Sequence, residues 1–152
     1  MFRKLILVST AAAVTFGVSI NASADTTPED AADYRSAIMT TLRGHLIASS
    51  MAVRGLVDDN GHLVDHANGI ANGVNELVHV FPAGSNIGDS EALPVIWEDA
   101  EGFAKAIENA KEAAAAFVVA AESGDKEAIG GAFRGVAGGC RGCHDNYRVA
   151  QD

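Results

Sequence analysis

The sequence predicts an all-α protein, an antiparallel up-down-up-down four-helix bundle. Three observations predict it. Apolar residues recur at close to a 3.6-residue period in four long segments, glycine and proline fall mainly between those segments, and no stretch alternates as a strand would. Helices of this length, joined mostly by short loops, pack as antiparallel neighbours.

The first helix starts at Thr27, with Pro28 in the first helical position and Glu29 and Asp30 in the first turn. A hydroxyl cap, a proline that needs no N–H partner and acids facing the helix dipole all favour that start. Ala31, Tyr34, Ile38, Leu42, Ala48, Ala52 and Leu56 continue the period, and "DDNG" (Asp58 to Gly61) ends it. The second helix is expected from about Val64 to Val80, through Ala67, Ile70, Ala71, Val74 and Leu77. "FPAGSNIGDSEALP", with Pro82, two glycines and Pro94, is a long loop. The third helix is expected from about Val95 to Ala121, with Trp97, Phe103, Ile107, Ala114 and Phe117 on its apolar side. "SGD" (Ser123 to Asp125) is a tight break in which Gly124 suits the left-handed C′ position and Asp125 caps the next helix. The fourth helix is expected from about Lys126 to Ala150 and carries Ile129, Phe133, Val136, Cys140, Cys143, His144 and Tyr147. Alanine dominates these cores and the fourth helix has few large aliphatics, so a bulky group has room among them.

At the other end, Arg3 and Lys4 precede an apolar run from Leu5 to Ile20 and an A-x-A site, Ala22-Ser23-Ala24. This is the layout of a secretory signal peptide cleaved after Ala24, which leaves residues 25–152 as one domain. The run is short for a membrane anchor, no basic cluster follows it, and no later stretch is apolar enough to span a bilayer. Loss of Arg3 and Lys4 deepens the formal charge of −9 carried by the whole chain. With no basic patch, nucleic acid is not an expected partner. Export also places the two cysteines in an oxidising compartment.

Those cysteines lie together in "GGCRGCHDNYR", residues 138–148. Cys140-Arg141-Gly142-Cys143-His144 is a C-x-x-C-H pattern, the pattern of c-type haem attachment. On a helix, residues i and i+3 share a face one turn apart. Two thiols so placed can each add to one of two vinyl groups on a haem edge, and the following histidine can ligate the iron. Competing uses fit less well. A redox C-x-x-C belongs near a helix start in a βαβ setting. A structural zinc site needs four ligands, and His45, His62, His66 and His79 supply no matching pair spacing. A disulfide at this spacing within a helix is geometrically poor.

Beyond that motif, "YRSAIM" (Tyr34 to Met39), "FPAGS" (Phe81 to Ser85), "IWEDAEGF" (Ile96 to Phe103) and "CRGCHDNYR" (Cys140 to Arg148) occur in this order, and the chain resembles the cytochrome c′ family, the class II c-type cytochromes. The resemblance covers nearly all of residues 25–152. It implies one covalent haem c per chain, held by Cys140 and Cys143 and ligated on one side only, by His144, in a homodimeric periplasmic protein. It also implies that Arg35 reaches a haem propionate beside Ser36, where relatives often carry glutamine. Met39 would cover the open face and Arg148 would sit close to the proximal ligand. Phe81 and Trp97 are expected in the core around the haem. Glu98 and Asp99 read as solvated surface.

The function this implies is binding of small diatomic gases, nitric oxide and carbon monoxide, with nitric oxide sequestration as a role, in a protein that is not an enzyme. The alternative is a low-spin class II cytochrome carrying electrons to and from an unidentified redox partner. A peroxidase reading rests only on His45 and Arg43. For the homodimer, contact through the first two helices is expected, with Leu46 and Val53 as apolar candidates. After leader removal no membrane is an expected partner.

Overall fold

The computed structural model describes residues 26–150, so the leader assigned to residues 1–24 lies outside the described residues. Five helices follow: α1 (Pro28–Val53), α2 (His62–Glu76), α3 (Val95–Glu98), α4 (Ala100–Ser123) and α5 (Lys126–Tyr147). The four long ones form the expected antiparallel bundle. Helix α1 packs on α2, α2 on α4 and α4 on α5, while the fourth neighbouring pair, α1 and α5, is in sparser contact than these three.

The local chemistry explains the boundaries, including those that differ from expectation. The Thr27 hydroxyl accepts from the Asp30 N–H at 3.1 Å, which starts α1 as predicted. That helix stops at Val53, short of Leu56, because Gly55 takes a φ of 68°. The Gly55 N–H then bonds the Ala52 carbonyl and the Leu56 N–H reaches back to that of Met51, a Schellman closure that only a residue tolerant of positive φ makes without strain. Helix α2 begins two residues early, at His62, because the Asp59 carboxylate accepts from both Gly61 and Leu63 N–H groups at 3.0 Å. It tightens into a 3₁₀ turn over Leu77–His79.

The expected third helix is in fact two. Asp99 leaves helical geometry (φ −115°, ψ 60°), so α3 is a single turn and α4 begins afresh at Ala100. The Asp99 carboxylate caps α4 by accepting from the Gly102 N–H at 3.1 Å, and it also accepts from the Tyr147 hydroxyl at 2.9 Å. It is therefore a structural cap and not merely solvated surface. Helix α5 ends at Tyr147, where the chain turns extended: the Leu93 N–H bonds the Tyr147 carbonyl at 3.0 Å and the Val149 N–H that of Glu91 at 2.8 Å. This short antiparallel pairing ties the end of α5 to the 81–94 loop.

The apolar core runs along α2, α4 and α5. Ile70, Val74, Ile107, Ala114, Phe117 and Val136 are all buried. Near the α4–α5 turn the bundle is filled, with Phe117 and Phe133 in ring contact at 5.6 Å. Toward the opposite end it opens between α1 and α5. Among the described residues, no helix is long and apolar enough to cross a membrane.

Candidate haem site

The opening is a cavity of about 930 Å³, at the upper end of the roughly 300–1,000 Å³ usual for small-molecule and cofactor sites. Its walls come from all four long helices. The α1 wall carries Ser36, Met39, Leu42 and Leu46, and α2 and α4 add Ile70, Val74, Phe103, Ile107 and Ala110. The α5 wall presents Gly139, Cys140, Cys143, His144 and Tyr147, with Arg148 just past its end. Alpha-helical spacing thus brings both thiols and the imidazole to one side of one cavity.

Close approach of α5 to α4 sets this wall. A Cβ at Gly139 would lie 3.2 Å from the Cα of Ala110, a tight contact, so glycine favours the close approach of the helices here, one residue before Cys140. Cys140 and Cys143 are half-buried and not bonded to one another. Burial raises the pKa of Cys140, and burial together with the neighbouring Cys140 charge pushes that of Cys143 up to about 11. Both sulfurs are therefore neutral thiols at ordinary pH. His144 is pushed the other way, chiefly by burial and then by Arg148, with Asp145 and Glu91 opposing. This favours the uncharged imidazole, the form that binds a metal.

An aromatic chain closes one end of the cavity. The Arg35 guanidinium lies 4.7 Å over the Phe81 ring. Phe81 meets Phe103 edge-on at 4.8 Å, and Phe103 meets Tyr147 edge-on at 5.1 Å. Arg35 is only 6% exposed, and its hydrogen bonds go to the loop. Nη1 donates to the Val80 carbonyl and Ser85 Oγ, both at 2.9 Å, and Nη2 to the Ser85 carbonyl and Ser90 Oγ, both at 2.7 Å. The residue expected to reach a propionate is, in this structure, the pin that holds the 81–94 loop to α1. Ser36 lines the cavity from an exposed position next to it.

Arg148 lines the cavity too. Its Nε is buried without a hydrogen-bond partner, 3.8 Å from a Glu91 carboxylate oxygen. Trp97 departs from expectation. It faces a separate cleft of about 400 Å³, with Val78, Ala100, Ala104 and Glu108, and donates its indole N–H to the Phe81 carbonyl at 3.2 Å. Phe81 and Phe103 form part of the wall between that cleft and the larger cavity. Of the two residues behind the peroxidase reading, Arg43 lines the cavity and His45 does not. His45 turns to α2, its Nδ1 3.1 Å from Nδ1 of His66. Phe103 lines the cavity, in keeping with an aromatic core around the haem, while Tyr147 and Ser90 line it without having been singled out for it in the sequence, and Ser85 supports it from behind through Arg35.

The residues fit the group the motif implies. One wall has two neutral thiols a helical turn apart and an imidazole favoured in its uncharged form, Met39, Leu42, Leu46, Ile70 and Val74 give apolar surface among the other lining residues, and Arg148 lines the cavity at the end of α5. A four-helix bundle with this constellation defines a c-type haem protein of the helical-bundle class. A family model described as cytochrome c′ matches residues 30–148. The chain belongs to the cytochrome c′ family, and its cofactor is covalently bound haem c.

The chain is 29% identical over 148 residues to cytochrome c′ of Rhodospirillum rubrum, covering 97% of this chain and 99% of that protein. The solved cytochrome c′ of Shewanella frigidimarina superposes with a TM-score of 0.78 at 30% identity, over 84% of this chain and 100% of the other. Two variants of the Alcaligenes xylosoxidans protein, one a nitric oxide complex and one with bound carbon monoxide, give TM-scores of 0.78 and 0.76 at 26% and 27% identity. The first covers 84% of this chain and 100% of the other, the second 82% and 98%.

Proposed function

We propose that this is a periplasmic, non-enzymatic haem protein whose iron takes His144 as its sole strong protein ligand and binds nitric oxide and carbon monoxide on the opposite face. The observation that carries this reading is the composition of the cavity: among its lining residues His144 is the only imidazole, and the α1 wall sets Met39, Leu42 and Leu46 beside Ser36, Thr40 and the charged Asp33, Arg35 and Arg43, with Met39 as its one thioether. The leader with Ala22-Ser23-Ala24 supports export to the periplasm. The gas complexes of the related Alcaligenes protein support the ligand class.

Each residue then has a role. Cys140 and Cys143 would hold the haem through thioether bonds, and His144, the next residue on the same helix, would ligate its iron. Bound there, the haem supplies a Lewis-acidic, redox-active iron. Arg148 keeps positive charge near His144. Arg35 holds the loop, and with it Phe81, against the cavity. Met39 covers the open face as a soft, movable apolar lid. It disfavours water, and a small neutral gas enters by displacing it. No imidazole on the open side is placed to cleave a peroxide.

Optical spectra of the oxidised, reduced and carbon monoxide-treated protein test this directly. High-spin ferric iron and a carbon monoxide adduct are expected. Met39→Ala should bind carbon monoxide more tightly, on the order of tenfold, because less side chain has to move. A low-spin ferric spectrum with a methionine–iron band that Met39→Ala abolishes would overturn the proposal and make the protein an electron carrier.

A further inference from the structure

Folding brings together two histidines that stand 21 residues apart in sequence, one in the second half of α1 and one in the second turn of α2, and neither lines the haem cavity. Nδ1 of His45 lies 3.1 Å from Nδ1 of His66, with the ring centroids 5.4 Å apart and the planes tilted by 56°. In the metal-free pair one ring donates and the other accepts, so one bare nitrogen lone pair already points between the helices. The pair is held in place. A Cβ on Gly69 would fall 2.5 Å from Nε2 of His45, so the ring rests on α2 where a side chain is missing. The same stripe of α1 carries Ser49 one turn further on. It is completely buried, and its hydroxyl makes no hydrogen bond.

We infer that His45 and His66 form a haem-independent binding site for a borderline divalent transition-metal ion, Zn²⁺ or Cu²⁺. At metal–nitrogen distances of about 2.0–2.1 Å, two nitrogens on one ion are about 2.9 Å apart at a right angle and about 3.3 Å apart at the tetrahedral angle. The observed 3.1 Å falls between these limits, so the ion replaces the shared proton with little helix movement. Imidazole nitrogen selects this class of ion over Mg²⁺ or Ca²⁺, which prefer oxygen. Both residues are partly buried and retain some exposure, leaving the remaining positions to water. The formal charge of −9 on the chain favours approach of a cation. Because the two ligands come from different helices, the ion clips α1 to α2.

The test is titration of the haem-loaded protein with Zn²⁺, followed by calorimetry and thermal unfolding. One ion per chain is expected, with a rise in Tm of roughly 10 °C at a hundredfold excess over Kd. His45→Gln and His66→Gln should each weaken binding tenfold or more, while His62→Ala and His79→Ala leave it unchanged. The Soret band and helicity report whether each variant is folded. Should a glutamine variant not fold, Cu²⁺ electron paramagnetic resonance on the wild type decides the matter: coupling to two imidazole nitrogens is expected. No Zn²⁺ uptake, wild-type affinity in both glutamine variants, loss of binding in His62→Ala, or copper coupled to one nitrogen or none would each overturn the proposal.

Discussion

At the scale of single residues, Arg35 concentrates more of the site than any other side chain outside α5. A guanidinium is tolerated at 6% exposure only because its donors are matched, here by two carbonyls and two hydroxyls of one loop. Its methylene stem and planar head also support Phe81. Replacing it with alanine removes four hydrogen bonds and strands their acceptors, Ser85 among them, which is itself fully buried. Arg35→Ala should lower stability by about 3 kcal/mol in denaturant unfolding of the haem-loaded protein. Arg35→Lys should recover only a minor part, since one ammonium cannot reproduce the fork that reaches both Ser85 and Ser90. An undiminished midpoint in Arg35→Ala would show that the loop is held by something else. The haem spectrum of the same variants separates roles: a loop pin alters stability and mobility of Phe81, whereas a direct haem contact also shifts the reduction potential.

At the scale of elements, α5 is the part of the fold whose sequence works against its structure. It carries glycine at 130, 131, 135, 138, 139 and 142, each of which weakens an isolated helix by about 1 kcal/mol relative to alanine. Tertiary contact with α4 holds it, and the glycines are not equivalent. A Cβ at Gly135 meets nothing within 4 Å, while one at Gly139 meets the backbone of α4 at 3.2 Å. Gly135→Ala should therefore stabilise the protein by about 1 kcal/mol, and Gly139→Ala should destabilise it by forcing α5 away from Ala110 beside Cys140. Equal effects of the two in thermal unfolding would refute this division. The contrast also marks what was legible beforehand. Helix number, order and the C-x-x-C-H face follow from periodicity and local spacing, both written in neighbouring residues. The break at Asp99 had a local signal, an aspartate able to cap through the Gly102 N–H, that the apolar period overrode; its second partner, Tyr147, lies 48 residues on where no local pattern announces it. Gly55 was likewise a local signal for the end of α1 that the apolar period overrode. The partners of Arg35 lie 45 to 55 residues away in an irregular loop, where no period announces them. Trp97 shares the apolar pattern of the third segment but, after the break, serves the neighbouring cleft.

At the scale of the whole molecule, the question is whether a surface of this chain is built to meet a second copy. Leu46 and Val53, the apolar candidates drawn from the sequence, turn inward and pack against the core, and Leu46 lines the haem cavity. The opposite stripe of α1 reads differently. Ala37, Thr41, Gly44, Ile47 and Met51 recur at helical spacing, all exposed and none charged, on a chain with a strong surplus of acid. Ile47 is 49% and Met51 40% exposed, and a Cβ at Gly44 would project into open space. Small residues flanked by larger apolar ones allow two helices to approach closely, and an uncharged strip lets two acidic bodies meet without direct repulsion. Isolated apolar residues are ordinary on a surface, but a continuous stripe spanning four turns of one helix is less so. Homodimerisation through this stripe is the expected outcome. Sedimentation velocity at micromolar concentration should give the mass of two chains with their haems. Ile47→Glu buries a charge in that contact and should shift the species to a monomer. Because the stripe faces away from the cavity, the optical spectrum and carbon monoxide affinity of the variant should stay close to wild type. Sedimentation of the wild type at the mass of one chain plus haem would reject the dimer, and a dimer persisting in Ile47→Glu would move the contact off this face of α1.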